Sequence, residues 1–426
     1  MTNPTRRVGH AAAGTAVHPD AGHGSGGGLP DVLEDFCAEL FSSLRRKDQQ
    51  LKARQYLRGL LATKGRKSIR NVATSTGDPA AAQSLHHFIV NSTWDWRPTR
   101  AALAAYAERV APGHALVVHP MPIPRAGEQF VGVDEMFDPF LRRTFHGQLA
   151  YGVWSASPAL SAPVDWLLFL SGRGFLESGS PSRAAGDRDG QPPAQLGSEG
   201  GDTPESCAVT AALTTPRDTW TRGRPVVLNV PGTATPTTMA RFREDATPVL
   251  VRAGLSTRLA VTDRGMPGYG HGSFPAHVIL EAARSARRPV RRIAPRDTRP
   301  TAFSLAVAVP VRLANEPGGG ARYLLIGEWC DPKRPPERLW LTDMAETPLQ
   351  RLVEYAGLAD RVDRDASRAA ETVGLRDFGG RSLAGWHRHV TLASAAYIAS
   401  ELVRGSGTAP RRGGKAHRAA RSCLRL

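Results

Sequence analysis

Short β-rich runs, each bounded by proline, glycine or charged residues, are the feature that most limits how this chain can fold. Four of them follow one another at residues 114–119, 129–133, 148–153 and 164–170. Runs of this length and composition predict strands. Helical spacing of apolar residues precedes them over residues 31–111 and follows them over about 346–373 and 383–403. This order predicts an α/β fold, in which a helical N-terminal module precedes a domain of mixed strands with flanking helices.

Composition marks out the remaining segments. Residues 1–30 contain a Gly-Ser-Gly-Gly-Gly run and few apolar side chains, which predicts a disordered lead. Residues 171–225 are rich in Gly, Ser, Pro and Asp and predict a long surface insertion. Residues 404–426 are rich in Gly, Arg, Lys and His and predict a disordered tail that attracts DNA. Further strands are expected at 258–262, 323–329 and 338–342, with a helix near 239–253.

The charge balance points to a polyanionic partner. Lys and Arg number 55 against 39 Asp and Glu, giving a formal net charge of +16. Neutralising phosphates releases counterions, so the charge favours binding to double-stranded DNA. A basic, Arg-rich proteome would explain the same charge without a DNA partner. The densest basic stretch lies in the N-terminal helical region, and its predicted DNA contacts are Arg45, Arg46, Lys64, Arg66 and Lys67.

Several classes of protein are excluded by what the sequence lacks. The four cysteines are far apart, with no Cys-x-x-Cys pair or His/Cys cluster, which excludes a zinc finger and a disulfide framework. No apolar run approaches the roughly 18 residues that a membrane span needs. The N-terminus has no apolar signal-peptide stretch. We therefore expect a cytoplasmic protein associated with the nucleoid.

Several sequence words identify a resemblance to a known family. KGRKS at Lys64–Ser68, QSLHHF at Gln83–Phe88 and STWDW at Ser92–Trp96 closely resemble the N-terminal domain of transposases of the insertion sequence seven-oh-one family. Near the other end, VGLRDFGGRS at Val373–Ser382 and GWHRHVTLASAA at Gly385–Ala396 resemble that family's final block. The words fall in family order over about residues 45–400, with a poor stretch at 171–250. Several such words in order are a specific signal.

The resemblance implies a DDE enzyme with an RNase H-like domain, here residues 112–403. In such enzymes two Asp and one Glu hold two divalent metal ions, Mg²⁺ or Mn²⁺. One ion activates the attacking oxygen and the other stabilises the leaving oxygen. The ligands must converge from separate strands and a late helix, so only local sequence words identify them.

The first acid is missing. Its family word resembles VVDDTGFPKKG, whereas this chain reads VVHPMPIPRAG at Val117–Gly127, with His119 and Pro120 in place of the acidic pair. Proline offers no ligand, and imidazole suits Mg²⁺ poorly compared with carboxylate. Asp134 and Glu135 follow the next β-rich run and are the candidates for a replacement acid.

The second acid is assigned to Asp263. The family word VVADAGYG resembles AVTDRGMPGYG at Ala260–Gly270, which puts Asp263 at the end of a predicted strand. Sites of α/β proteins usually form at that end. An Asp in this position can also simply cap a turn before Gly265.

The third acid is assigned to Asp363. The helical family word RWRIERDYQELKQELGL resembles ADRVDRDASRAAETVGL at Ala359–Leu375, with Asp363 in place of Glu and Ala370 in place of a DNA-contacting Lys. The shorter side chain would withdraw a ligand oxygen by about 1 Å, which disturbs a tight Mg²⁺ shell. A residue at a partly exposed edge of the helix explains an acid here equally well.

These departures lead to three hypotheses. The first is a DNA-binding, transposase-derived protein with a degraded catalytic site, acting as a homo-oligomer or on an active transposase relative. The second is an active transposase with a site rebuilt from Asp263, Asp363 and another acid. The third is an expressed relic without a partner. For His387 and His389, on either side of Arg388, we expect surface or DNA-contacting positions rather than a metal pair.

Overall fold

The computed structural model describes residues 29–138, 140–171, 203–216, 223–292, 303–314, 316, 321–336 and 338–407. Most of the predicted lead at 1–30 and of the basic tail at 404–426 lies outside the described residues. The same holds for residues 172–202 and 217–222 of the predicted insertion.

The N-terminal region is helical. Its five helices are α1 (Leu29–Phe41), α2 (Lys47–Ala62), α3 (Ile69–Ser75), α4 (Ala82–His86) and α5 (Arg97–Val110). A 3₁₀ turn, Pro79–Ala81, precedes α4, and a π-helical turn, His87–Asn91, follows it. Ser68 of the KGRKS word caps α3 by accepting a hydrogen bond from the Asn71 N–H. The apolar side chains of these helices belong to one continuous core with the rest of the chain.

Twelve strands form a single mixed sheet. They are β1 (Ala115–Pro124), β2 (Asp134–Asp138), β3 (Arg143–Ala156), β4 (Ser161–Leu168), β5 (Val226–Leu228), β6 (Val249–Ala253), β7 (Arg258–Val261), β8 (Phe274–Pro275), β9 (Arg288–Arg291), β10 (Phe303–Leu313), β11 (Tyr323–Trp329) and β12 (Arg338–Thr342). Their order is β2-β3-β1-β5-β6-β12-β11-β10-β7-β8, with β4 paired to β3 and β9 to β10. Among the described strands, only the β1–β5 and β5–β6 pairs are parallel.

Three prolines fit into the central strand β1 because of where β5 ends. Leu116 donates its N–H to the Pro225 carbonyl, so even-numbered residues of β1 turn their backbone nitrogens toward β5. The pairing with β5 stops at Val118 and Leu228. Pro120 is the next even-numbered residue and has no N–H to donate. Because β5 no longer pairs with β1 at this position, the missing N–H breaks no ladder hydrogen bond. β1 and β5 part at this point, which is where the candidate site lies.

Five further helices surround the sheet. They are α6 (Pro204–Thr214), α7 (Pro236–Glu244), α8 (Ala276–Ala282), α9 (Leu349–Thr372) and α10 (Leu383–Gly407). The helix predicted near 239–253 is instead α7 followed by β6, because Thr235 and Pro236 begin the helix earlier and a buried Val-Leu-Val run completes a β-α-β crossover. α6 falls within the predicted surface insertion, yet Cys207–Ala212 are buried against β1, β3 and β4. The buried residues of this helix are mostly small, so the segment lacks the large apolar side chains that usually indicate burial. The same small side chains allow the helix to pack closely against the sheet.

The long helix α10 joins the two halves of the molecule. Contrary to the expected surface positions, His387, Arg388 and His389 are all buried. Arg388 donates to the Trp94 carbonyl at 3.0 Å. His389 bonds the Tyr56 hydroxyl at 2.9 Å and the Gly374 carbonyl at 2.8 Å. These polar side chains are buried because N-terminal helices supply partners for them. No described helix is both long enough and apolar enough to cross a membrane.

Candidate functional site at the end of the central strand

Two polar side chains lie next to each other where β1 and β5 separate. His119 follows Val118 and Asn229 follows Leu228, the last residue pair of the parallel ladder. The Asn229 N–H donates to the Val118 carbonyl at 3.2 Å, which continues the register by one residue. Both residues are buried, with 8% of His119 and 3% of Asn229 exposed. The backbone register therefore places an imidazole and a carboxamide at neighbouring positions of the two strands.

Helix α9 adds Asp363. The His119 Nε2 and Asp363 Oδ1 atoms are 3.6 Å apart, and the Asp363 side chain is 61% exposed. Burial lowers the pKa of His119 below its usual value, the Asp363 carboxylate opposes that shift, and Arg376 reinforces it. His119 is therefore neutral at pH 7. The structure thus brings together two of the three positions predicted for the site, His119 and Asp363.

Two arginines also contribute to this site. Arg252, on β6, donates from Nη1 to the Asn229 Oδ1 at 3.0 Å, and its guanidinium lies 5.4 Å from the centre of the Phe140 ring. The pKa of Arg252 is lowered to about 10. Burial is the main cause and Arg338 adds to it, whereas Asp363 opposes the shift. Arg376 follows α9 and has its pKa lowered by burial.

These side chains do not fit a pair of divalent metal ions. Hard cations need several oxygen ligands, mostly carboxylates. Among the described residues, Asp363 is the one carboxylate paired with His119, and Arg252 already occupies the amide oxygen of Asn229. In the same part of the chain, no group of three or more His, Cys, Asp or Glu side chains is arranged to hold a metal ion.

Asp263 is not brought to this site. It follows β7, and β5, β6, β12, β11 and β10 lie between β1 and β7 in the sheet. Six strand spacings correspond to roughly 29 Å along the sheet. The Asp263 Oδ1 accepts a hydrogen bond from the Gly265 N–H at 2.8 Å. The structure therefore gives Asp263 the turn-capping contact that was the alternative interpretation of this residue.

Asn229 is the site residue that the sequence interpretation missed. The residues Val226–Thr233 read VVLNVPGT and share the Val-Val pair of the family word VVADAGYG, with Asn229 where that word has Asp. This run is followed by helix α7 and strand β6, as a β-α-β crossover requires. The sequence interpretation assigned the Asp of the word to Asp263 and did not include Asn229.

The candidate replacement acids lie on the outer strand β2. Asp134 pairs with Gly147 and Glu135 with His146 in the β2–β3 register. Gly147 in turn faces Pro124, five residues beyond His119 on β1. Glu135 is exposed, and its Oε1 lies 3.8 Å from the His146 Nδ1. Neither acid is placed beside Asp363 by this register.

The basic residues predicted to bind DNA divide into two kinds. Arg45, Arg46, Lys64 and Arg66 are exposed. Lys67 is only 4% exposed, and its ammonium donates to the Thr63 carbonyl. Its backbone N–H donates to the Asp377 carboxylate at 2.7 Å. This hydrogen bond connects the KGRKS motif to the VGLRDFGGRS motif, which contains Asp377. Lys67 therefore has a structural position, which corrects the expectation of a phosphate contact.

One comparison with known families bears on this fold. A family model described as "DDE superfamily endonuclease" matches residues 39–177, which run from α1 through β4 and include His119. No protein of curated function matches the chain. The mixed sheet with its flanking helices is consistent with an RNase H-like DDE fold. Together, the match and the fold support a DDE-type, transposase-like protein.

Proposed function

We propose that this protein is a transposase-derived, DNA-binding protein that no longer cleaves or joins DNA. The observation that carries the proposal is the group His119, Asn229 and Asp363 at the separated ends of β1 and β5. In this proposal Asn229, rather than Asp263, stands at the position of the second acid. Two of the three metal-binding carboxylates are then replaced by neutral side chains, and the third is shortened.

The DNA-binding part of the proposal is supported by charge. The chain has a net charge of +16, and the exposed arginines and lysines of the N-terminal helices include Arg45, Arg46, Lys64 and Arg66. Phosphate contacts of this kind supply affinity without sequence preference. A protein that holds DNA without cutting it could block transposon ends from an active relative, either alone or as a homo-oligomer.

A cleavage assay tests the proposal. The protein is incubated with Mg²⁺ or Mn²⁺ and duplex DNA from both flanks of its own gene, and nicking and strand transfer are measured beside DNA retention at moderate salt. The expected result is retention without nicking. Cleavage that disappears in an Asp363→Ala variant would instead show a rebuilt active site. Absence of both cleavage and retention would leave a relic without a DNA partner.

A further inference from the structure

A cavity of about 270 Å³ lies at the end of β1 opposite the candidate site. The residues that line it come from separate elements and include three arginines. Arg291 and Arg292 come from the end of β9, and Arg351 comes from the first turns of α9. His114, which precedes β1, and the Tyr355 ring complete the polar and aromatic part of the wall. Among the lining residues that the structure describes, Glu354 is the one acidic side chain.

The cavity is held open by fixed contacts between β9 and α9. The Gln350 amide accepts from the Arg291 N–H at 2.9 Å and donates to the Arg291 carbonyl at 3.0 Å. Arg292 is bound to Glu328 at 3.0 Å and to Asp360 at 3.2 Å. Because both partners of Arg292 are largely buried, this arginine is a neutralised part of the wall.

Arg291 and Arg351 supply the charge that can reach a ligand. Arg291 is exposed, and none of its side-chain contacts within the described chain is a salt bridge. Arg351 contacts Glu354 at 3.0 Å, with exposed side-chain fractions of 41% and 32%. Ion pairs exposed to this degree contribute little, so a phosphate group can compete with Glu354 for the guanidinium. Burial lowers the pKa of His114; Arg351 and Arg224 add to this shift, and Glu354 opposes it.

Further arginines precede Arg291 in the chain. Arg288 is exposed at the start of β9, and Arg284 and Arg287, in the turn before it, both donate to the Pro332 carbonyl. On the side away from β10, β9 pairs with no other described strand. Basic residues on an edge strand also prevent pairing with other chains. That explanation does not account for Arg351 and His114, which belong to other elements and meet Arg291 in the same cavity.

We propose that this cavity binds one backbone phosphate of double-stranded DNA, and that the arginines along β9 guide the adjoining duplex to it. A free phosphate ion would need only the cavity, whereas a DNA backbone presents further phosphates to Arg288, Arg287 and Arg284. The inference rests on the proposed DNA-binding function and adds a contact surface separate from Arg45, Arg46, Lys64 and Arg66.

The test compares variants of the full-length protein in binding to a fluorescent DNA duplex at several KCl concentrations. An Arg291→Gln/Arg351→Gln variant is expected to bind about 3–10-fold more weakly, with the salt slope reduced by about 0.9 because one phosphate is no longer neutralised. Glu354→Gln is expected to tighten binding. Arg243→Gln is the matched control, since Arg243 also pairs with one glutamate, Glu316, and is exposed, yet lies on α7 and belongs to neither proposed DNA-contacting surface.

The outcomes separate the inference from the proposed function. If the wild type binds DNA and the double variant binds it with unchanged affinity and slope, the cavity has no such role and the general DNA-binding proposal stands. If the wild type does not bind DNA, both are overturned. Inorganic phosphate is added as a competitor: half-displacement at micromolar phosphate would identify a free-anion site and overturn the DNA assignment. Opposite effects of the double variant and Glu354→Gln, with Arg243→Gln unchanged, support the inference.

Discussion

Among single residues, Arg252 shows how one side chain changes the ions that a site can accept. Its guanidinium donates to the Asn229 Oδ1 at 3.0 Å and so occupies the side-chain oxygen that this residue would offer a metal ion. A neutral amide is a suitable partner for this cation, and a metal ion is not, because like charges repel in a poorly hydrated site. An asparagine at position 229 and the position of Arg252 are therefore chemically consistent with each other.

Restoring the carboxylates tests which residue stood at the second position. A His119→Asp/Asn229→Asp/Asp363→Glu variant that also carries Arg252→Ala is expected to gain Mn²⁺ binding, measured by titration calorimetry, because three carboxylates would then converge without a competing guanidinium. The variant without Asn229→Asp should bind at least about tenfold more weakly. Adding Asp263→Ala to the restored variant should change nothing. A loss of Mn²⁺ binding on that addition would return the second position to Asp263.

The contacts of Arg100 predict that replacing this one residue strongly lowers the free energy of unfolding. It is buried and donates to Asp165 at 2.7 Å, to Thr391 at 2.8 Å and to the Trp166 carbonyl at 3.1 Å. Arg100→Leu is expected to lower the free energy of unfolding by about 3 kcal/mol in urea denaturation, because these partners lose their donor. Arg97→Leu, at an exposed pair with Asp95, should cost below about 1 kcal/mol.

Among the elements, α10 is the one whose role departs most from its sequence pattern. It carries a His-Arg-His run that is typical of a surface, yet this run bonds α2, the π-helical turn and the segment before α10. The role of helix α6 also differs from what its sequence pattern indicates, because its buried residues are mostly small and form no recognisable apolar stripe. In both helices the partners come from distant parts of the chain, so local composition is a poor guide to burial.

The contact of α10 with α2 predicts a pH dependence of stability. Burial lowers the pKa of His389 to about 4, while the Gly374 carbonyl and Asp377 oppose this shift and Arg125 adds to it. Between about pH 6.5 and 4 the unfolded state therefore binds the extra proton. Stability is full above this window and falls with decreasing pH by up to about 1.4 kcal/mol per unit.

The pH dependence is checked by urea denaturation of wild type and His389→Gln at intervals across this window. The variant should show a flatter profile by about that slope. His271→Gln, at an exposed histidine, is the control and should leave the wild-type profile unchanged. Parallel profiles for wild type and His389→Gln would contradict the assignment of this proton to His389.

For the whole molecule, the division of basic residues into exposed and buried ones predicts two different phenotypes. Replacing Arg45, Arg46, Lys64 and Arg66 by Gln is expected to reduce the salt slope of DNA binding by about 0.9 for each phosphate that is no longer neutralised. Lys67→Gln should leave that slope unchanged and lower the thermal midpoint instead, because Lys67 packs in the core beside Gly374. Fluorescence anisotropy and thermal denaturation of the same samples separate the two effects.

The sequence by itself determined the features that depend on neighbouring residues. Apolar spacing predicted the helices before β1 and after β12, and β-rich runs predicted β4, β7, β11 and β12 within three residues of their observed bounds. The runs for β1 and β3 predicted only part of each longer strand, and the strand predicted at 129–133 is wrong, because these residues form a turn before β2. The departures from the family words were also visible directly, with His119 in place of an acid and Asp363 in place of Glu. Each of these inferences uses the spacing of apolar residues or a short sequence motif. Both lie within a few helical turns or within one strand.

Only the tertiary structure decided which residues share the site. Asn229 lies beside His119 because β5 pairs in parallel with β1, and Asp263 lies elsewhere because β7 joins the sheet through β10. The burial of Lys67, His387 and His389 likewise depends on partners far away in the chain. Strand order, register and burial arise from non-local contacts, and a local sequence word contains no information about the partner that will complete them.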